Sequence, residues 1–218
     1  MRHDLEVCAD ASDLASLGAA FVTRLASESV RLRGAFTMAV SGGHTPRAMF
    51  AELAAATFAW GATTIFQVDE RVAPDGDHDR NLTHLMASLE GLPVRVVAMH
   101  VNDADVEMAA AHYATQLPER FDLVHLGLGP DGHTASLVPG DAVLDVEDRL
   151  VAVTEPYQGH RRMTFTFPAI ARADQLLWLV SGADKRAALQ RLVDGDVSIP
   201  AARVNARASL VIADAAAR

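Results

Sequence analysis

The run Gly127-Leu128-Gly129-Pro130-Asp131-Gly132-His133 places a carboxylate two residues before an imidazole on a glycine-framed turn, and Thr134, Ala135, Ser136 and Leu137 follow it. A neutral imidazole can take a proton from water, and a nearby carboxylate can fix its orientation, so the pair suits general-base chemistry. The competing reading is an ordinary turn histidine. The run also matches G-x-G-x-x-G, but Pro139 and Gly140 cut short the long helix that a dinucleotide site requires, and the dinucleotide reading fails on that context.

Four further clusters carry polar chemistry. Ser41, Gly42, Gly43, His44, Thr45 and Pro46 follow an apolar run and precede a helical pattern. Glycines there let backbone approach a ligand closely, a helix start offers free N–H groups, and Ser41 and Thr45 add hydroxyl donors, so a phosphate would fit. A tight turn with a Thr cap accounts for the same residues. Asp69, Glu70 and Arg71 follow the next apolar run, and Arg80 and Asn81 open the helix beyond it. Arg71 could bind an anion through its planar fork while a carboxylate orients it, or the trio could be a surface salt-bridge group. Arg162 precedes another apolar run. Lys185, the single lysine among 19 Lys+Arg residues, follows a strand pattern ending at Val180, where its ammonium could meet an anion or be neutralised by Asp184.

These clusters need elements to position them. Apolar runs predict strands over 36–40, 63–68, 94–98, 121–126, 150–153, 163–167, 176–180 and 210–212, the fifth and sixth able to pair as a hairpin. Helical periods predict helices over 11–30, 46–58, 81–89, 105–116, 168–173 and 184–193. The alternation is that of βαβ units, an α/β fold with an open, mainly parallel sheet flanked by helices, in one domain spanning 1–218. In such sheets ligands bind outside the carboxyl ends of the strands, where the clusters fall. The segment 73–79 reads as a mobile surface loop.

Composition bounds the function. With 50% hydrophobic and 22% charged residues, the chain is neither a disordered tail nor a collagen-like rod. Cys8 is the only cysteine, so neither an intrachain disulfide nor a cysteine metal cluster can form. No local His spacing suggests a metal site, and His3, His78 and His160 read as solvent-exposed. The start MRHDLEVCAD lacks a signal-peptide pattern, and charged or polar residues interrupt each apolar run before membrane-spanning length, so a cytoplasmic protein is expected. A formal net charge of -9 disfavours nucleic acid and anionic lipid as partners, and an anionic substrate would need a local basic pocket.

Taken together, the clusters resemble the 6-phosphogluconolactonase family, whose members carry SGG-x-TP, DER, G-x-G-x-DGHTASL-x-PG, an Arg-x-Thr strand followed by Pro, and a late G-x-x-K. Here these stand at 41–46, 69–71, 127–140, 162–168 and 182–185, in the family's order. The resemblance implies a Rossmann-like fold related to sugar-phosphate isomerase/deaminases. It also implies hydrolysis of 6-phospho-D-glucono-1,5-lactone, without metal or organic cofactor, by a monomer. His133 would be the general base, with Asp131 positioning the ring. Ser41, Gly42, Gly43, Thr45, Asp69, Arg71, Arg162 and Lys185 would bind the small-molecule sugar phosphate. A lactone is already activated, so no covalent nucleophile is required, and Ser136 and Cys8 read as structural.

Three residues depart from the family's usual wording. His44 stands for Ser, Arg80 precedes Asn81 in place of Ser, and Val138 replaces Phe. Arg80 could add to phosphate binding, while Val138 changes packing. The nearest rival is a glucosamine-6-phosphate deaminase/isomerase, in which the Asp-Gly-His segment continues with a Glu; here no carboxylate follows His133 before Asp141. A noncatalytic sugar-phosphate sensor is the other alternative.

Overall fold

The computed structural model describes residues 3–218. Asp10 opens the first helix, α1 (Ala11–Arg33), by accepting the backbone N–H groups of Ser12 and Asp13, and Gly34 closes it with an N–H to the Val30 carbonyl. The helix runs three residues past the predicted end because nothing before Gly34 stops it. Its buried face, including Leu14, Val22 and Ala26, packs against one side of a seven-stranded sheet.

All seven strands are parallel, in the order β1 (Asp4–Cys8), β10 (Ala208–Asp214), β9 (Ala173–Val180), β6 (Phe121–Leu126), β2 (Phe36–Val40), β3 (Thr63–Gln67), β5 (Arg95–Val97). Apolar side chains alternate between its two faces. On one, Met38, Val40, Leu123 and Leu177 pack under α1 and α2 (His44–Ala55); on the other, Ala39, Val124, Leu126 and Trp178 pack toward α4 (Val106–Thr115). The predicted α/β fold with a mainly parallel sheet is the one observed.

A second, antiparallel sheet has the order β4 (Asp69–Arg71), β8 (Arg162–Phe165), β7 (Val151–Val153). β7 and β8 form the expected hairpin. The Asp-Glu-Arg trio, read from sequence as a cluster after a strand, is itself a strand of this sheet. Val68 joins the two sheets: its N–H donates to Val40 O at 3.0 Å in the parallel sheet, and its carbonyl accepts the Phe165 N–H at 2.8 Å. An aromatic cluster fastens the same junction. The Phe66 and Phe121 rings lie 5.4 Å apart, those of Phe121 and Phe165 5.6 Å, and Tyr113 of α4 covers Phe165 at 6.4 Å.

Other elements differ from expectation in bounds. The helix predicted over 168–173 is one turn, α5 (Phe167–Ile170), and Ala173 already belongs to β9. α3 is Asn81–Ser88, and α6 (Arg186–Asp194) starts after a separate turn, Ala183–Lys185. The short helix α7 (Pro200–Arg203) and edge strand β1 have no counterpart in the sequence reading. Val138 is buried, and Cys8 is buried at the end of β1, its thiol donating to Ala213 O at 3.4 Å. No helix among the described residues is long and apolar enough to cross a membrane.

Candidate active site

Strand order reverses between β2 and β6, which lead away to opposite edges of the sheet. Their carboxyl ends, at Val40 and Leu126, release the SGG turn and the Asp–His turn side by side, and Ser41 N–H donates to His125 O at 3.2 Å. A switch point of this kind opens a crevice above the sheet. The crevice is a cavity of about 410 Å³, and Ser41, Gly42, Gly43, Thr45, Asp69, Arg71, His133, Arg162 and Lys185 all line it.

Asp131 sits at its edge, holding His133. The carboxylate Oδ1 lies 2.6 Å from His133 Nδ1 and accepts the His133 backbone N–H at 3.1 Å. The short contact favours the tautomer protonated at Nδ1, which leaves Nε2 free to accept a proton. Burial alone would raise the Asp131 carboxyl, but the His133 backbone N–H and imidazole, with the Tyr157 hydroxyl, hold it below the usual carboxylate range. The turn requires Gly129: a Cβ there would lie 2.1 Å from His133 Nδ1. The imidazole therefore rests directly on the glycine backbone. Tyr157, which the sequence reading passed over, donates to Asp131 Oδ2 at 3.2 Å and stacks edge-on to His133. Its ring also lies under the Arg162 guanidinium, 5.0 Å away.

The opposite wall is cationic. Strand alternation turns Asp69 and Arg71 toward the cavity and Glu70 away from it. Arg162, directly opposite Arg71 in the β4–β8 ladder, reaches the same wall. Its guanidinium donates to the Tyr157 carbonyl and to Gln158 Oε1, each at 3.4 Å. Burial lowers its pKa against the opposing pull of Asp69. Asp69 is spoken for: Ser136 Oγ donates to its Oδ2 at 2.7 Å and Asn81 Nδ2 to its Oδ1 at 3.2 Å. Ser136 is fully buried in that contact and stands as a structural residue. Lys185 closes the rim, 3.1 Å from Asp184.

In the SGG turn, Gly43 is the N-cap of α2, and no side chain caps the helix. The Thr cap considered from sequence is absent because Thr45 lies inside the first turn. Gly42 packs on Asn81 so closely that a Cβ would fall 1.9 Å from its Oδ1. His44 is exposed and contacts Arg47.

Arg80 is a correction. It is 2% exposed, its Nε 3.1 Å from Glu70 Oε2 and its NH1 donating to Ala73 O at 2.9 Å. Outside the cavity lining and committed to a buried pair, it is not a phosphate ligand. Glu70 in turn accepts the first N–H groups of α3, from Asn81 and Leu82, at 2.8 Å each. The histidines correct a second expectation: His78 is exposed, whereas His3 bonds Ser209 Oγ at 2.8 Å and His160 bonds Asp79 at 3.0 Å, both half-buried.

The fold and the cavity define the class. The chain belongs to the glucosamine-6-phosphate isomerase/6-phosphogluconolactonase family, whose model matches residues 9–212. Several of its relatives are named 6-phosphogluconolactonase. The protein of that name from Nostoc sp. is 32% identical over 206 residues, covering 88% of this chain and 85% of its own length. The crystal structure of a 6-phosphogluconolactonase from Shewanella baltica matches with a TM-score of 0.88 at 25% identity, covering 98% of each chain. A monomeric glucosamine-6-phosphate deaminase shares the fold, with a TM-score of 0.83 at 17% identity and 98% coverage of both chains.

Proposed function

We propose that the protein hydrolyses 6-phospho-D-glucono-1,5-lactone to 6-phosphogluconate in the pentose phosphate pathway, with His133 as general base on the attacking water. The observation that carries this reading is the 2.6 Å Asp131–His133 contact at a cavity with a cationic wall. Asp131 fixes the tautomer and stabilises the imidazolium that forms as Nε2 takes the water proton. The hydroxide equivalent adds to lactone C1. Arg71, Arg162 and Lys185 hold the phosphate and meet the charge that develops on the carbonyl oxygen, with free N–H groups of the Gly42–Thr45 turn as further donors. Collapse of the tetrahedral adduct breaks the ring C–O bond, and the imidazolium returns its proton to the departing ring oxygen. The carboxylic acid so formed loses its proton to solvent, and the product leaves as a carboxylate. The chain acts as a cytoplasmic monomer of a single domain.

A deaminase reading is less well supported. The first carboxylate after His133 is Asp141, whose oxygens accept the Val143 N–H at 2.9 Å and the Glu155 N–H at 3.2 Å, outside the cavity lining. Ring-opening chemistry would lack its relay acid.

The test is turnover. Lactone is generated in situ, its product is trapped by 6-phosphogluconate dehydrogenase, and wild type, His133→Ala and buffer are compared. Acceleration over buffer that disappears in the variant is expected. A wild type equal to buffer would overturn the reading and make glucosamine 6-phosphate the next substrate to assay.

A further inference from the structure

Two polar groups at the floor of the cavity have no partner among the described residues. His125, the fifth residue of β6, is 1% exposed, and neither ring nitrogen is hydrogen-bonded. Ser41, the first residue after β2, is also buried, and its Oγ is likewise unpartnered. Their backbones adjoin, since the Ser41 N–H donates to His125 O at 3.2 Å, and both residues line the cavity.

Neither group is explained by packing. Alternation along β6 puts His125 on the face of Leu123, where Val40, Leu177 and Leu179 form an apolar layer that a leucine would complete. A buried imidazole with two unmet polar atoms destabilises that layer. Burial drives its pKa down to about 4, so it is neutral near pH 7, with one ring nitrogen a donor and the other an acceptor. The Ser41 hydroxyl has the same dual character. A phosphate oxyanion only accepts, and the cations that suit it stand on another wall. A group that both gives and accepts a hydrogen bond, an alcohol, satisfies both residues.

We propose that His125 and Ser41 form a buried subsite that recognises a hydroxyl group of the sugar. The identity of that sugar rests on the lactonase reading, but the subsite itself does not, because any polyol phosphate presents the same group.

The experiment is calorimetric titration of wild type, His125→Leu and Ser41→Ala with 6-phosphogluconate and with 6-phosphohexanoate, the same chain without hydroxyls. His125→Leu is expected to weaken 6-phosphogluconate about tenfold and to leave 6-phosphohexanoate unchanged. Ser41→Ala shows the same pattern with a smaller loss, and carries the test alone if the leucine variant does not fold. The ligand-free leucine variant melts at a higher temperature than wild type. Equal weakening of both ligands, no change in either, or a wild type that does not distinguish them overturns the subsite. The lactonase reading fails separately: a wild type that binds with hydroxyl dependence yet turns over no lactone removes the reaction and leaves the subsite standing.

Discussion

Arg71 and Arg162 are direct partners in the antiparallel β4–β8 ladder, and both line the same cavity. Like charges placed opposite one another destabilise a sheet unless something neutralises them. Asp69, on the same face, sets one negative charge against the two arginines, and the Nε groups of both arginines have no partner among the described residues. A bound dianion would balance the remaining positive charge. Arg71→Gln is therefore expected to raise KM for the phosphorylated lactone about tenfold or more, while the ligand-free melting temperature does not fall. An unchanged KM would remove Arg71 from the phosphate wall.

Asp131→Asn tests the tautomer. The amide keeps the shape of the carboxylate but loses its charge and offers an N–H₂ to the imidazole, so the proton can move to Nε2 and the base is lost. Turnover should drop by about 10²- to 10⁴-fold with little change in KM. Steady-state kinetics decide it, and a variant with wild-type kcat would show that Asp131 does not set the state of His133.

Glu70 and Arg80 form a buried pair outside the cavity lining, and Glu70 accepts the backbone N–H groups of Arg71 and Asn81, which line it. Glu70→Ala leaves the buried Arg80 guanidinium with only the exposed Asp75 carboxylate as a charged partner and uncaps α3, and denaturant unfolding should report a loss of about 3 kcal/mol. Combining it with Arg80→Met should recover part of that loss, because an apolar side chain replaces the stranded charge. If Arg80→Met alone raised KM and left stability intact, Arg80 would have to be returned to the ligand.

Asp196 supplies a pH signature remote from the cavity. Ser198 Oγ, the Arg191 guanidinium and the Ser198 backbone N–H hold its carboxyl at about 2, below its ordinary 3.8. A depressed acid favours the folded state when ionised, so its contribution is complete above pH 3.8 and is lost as pH falls through about 2. Asp196→Asn should melt below wild type near neutrality, and the gap should close between about pH 4 and pH 2. A gap independent of pH would mean that the contribution is not that of the charge.

The legible parts of this fold were those whose signals are local. Continuous apolar runs such as 121–126 marked buried parallel strands, and the glycine turns after them marked the cavity, because both depend on residues adjacent in the chain. β1 was missed because four of its five residues are exposed at a sheet edge and carry no buried-strand pattern. β4 was missed because three charged residues become a strand only by pairing with β8, some ninety positions away. Tyr157 and His125 escaped for a related reason: a hairpin-loop aromatic and a histidine inside an apolar strand acquire meaning only beside Asp131 and Ser41. The sequence does give His125 one signal, a polar residue interrupting the run Phe121–Leu126 immediately before a glycine turn. Arg80 was misread because its position beside the site did not reveal that Glu70 lay beneath it.

The lone lysine has a practical side. Lys185 is the chain's only ε-amine, and it stands on the cavity rim with its side chain 23% exposed. Amine-reactive reagents thus meet one lysine in this chain. An acylating probe or an isotopically labelled methyl group placed there would sit at the cavity mouth on every molecule. Ligand binding and release could then be followed from a single reporter without mutating the protein.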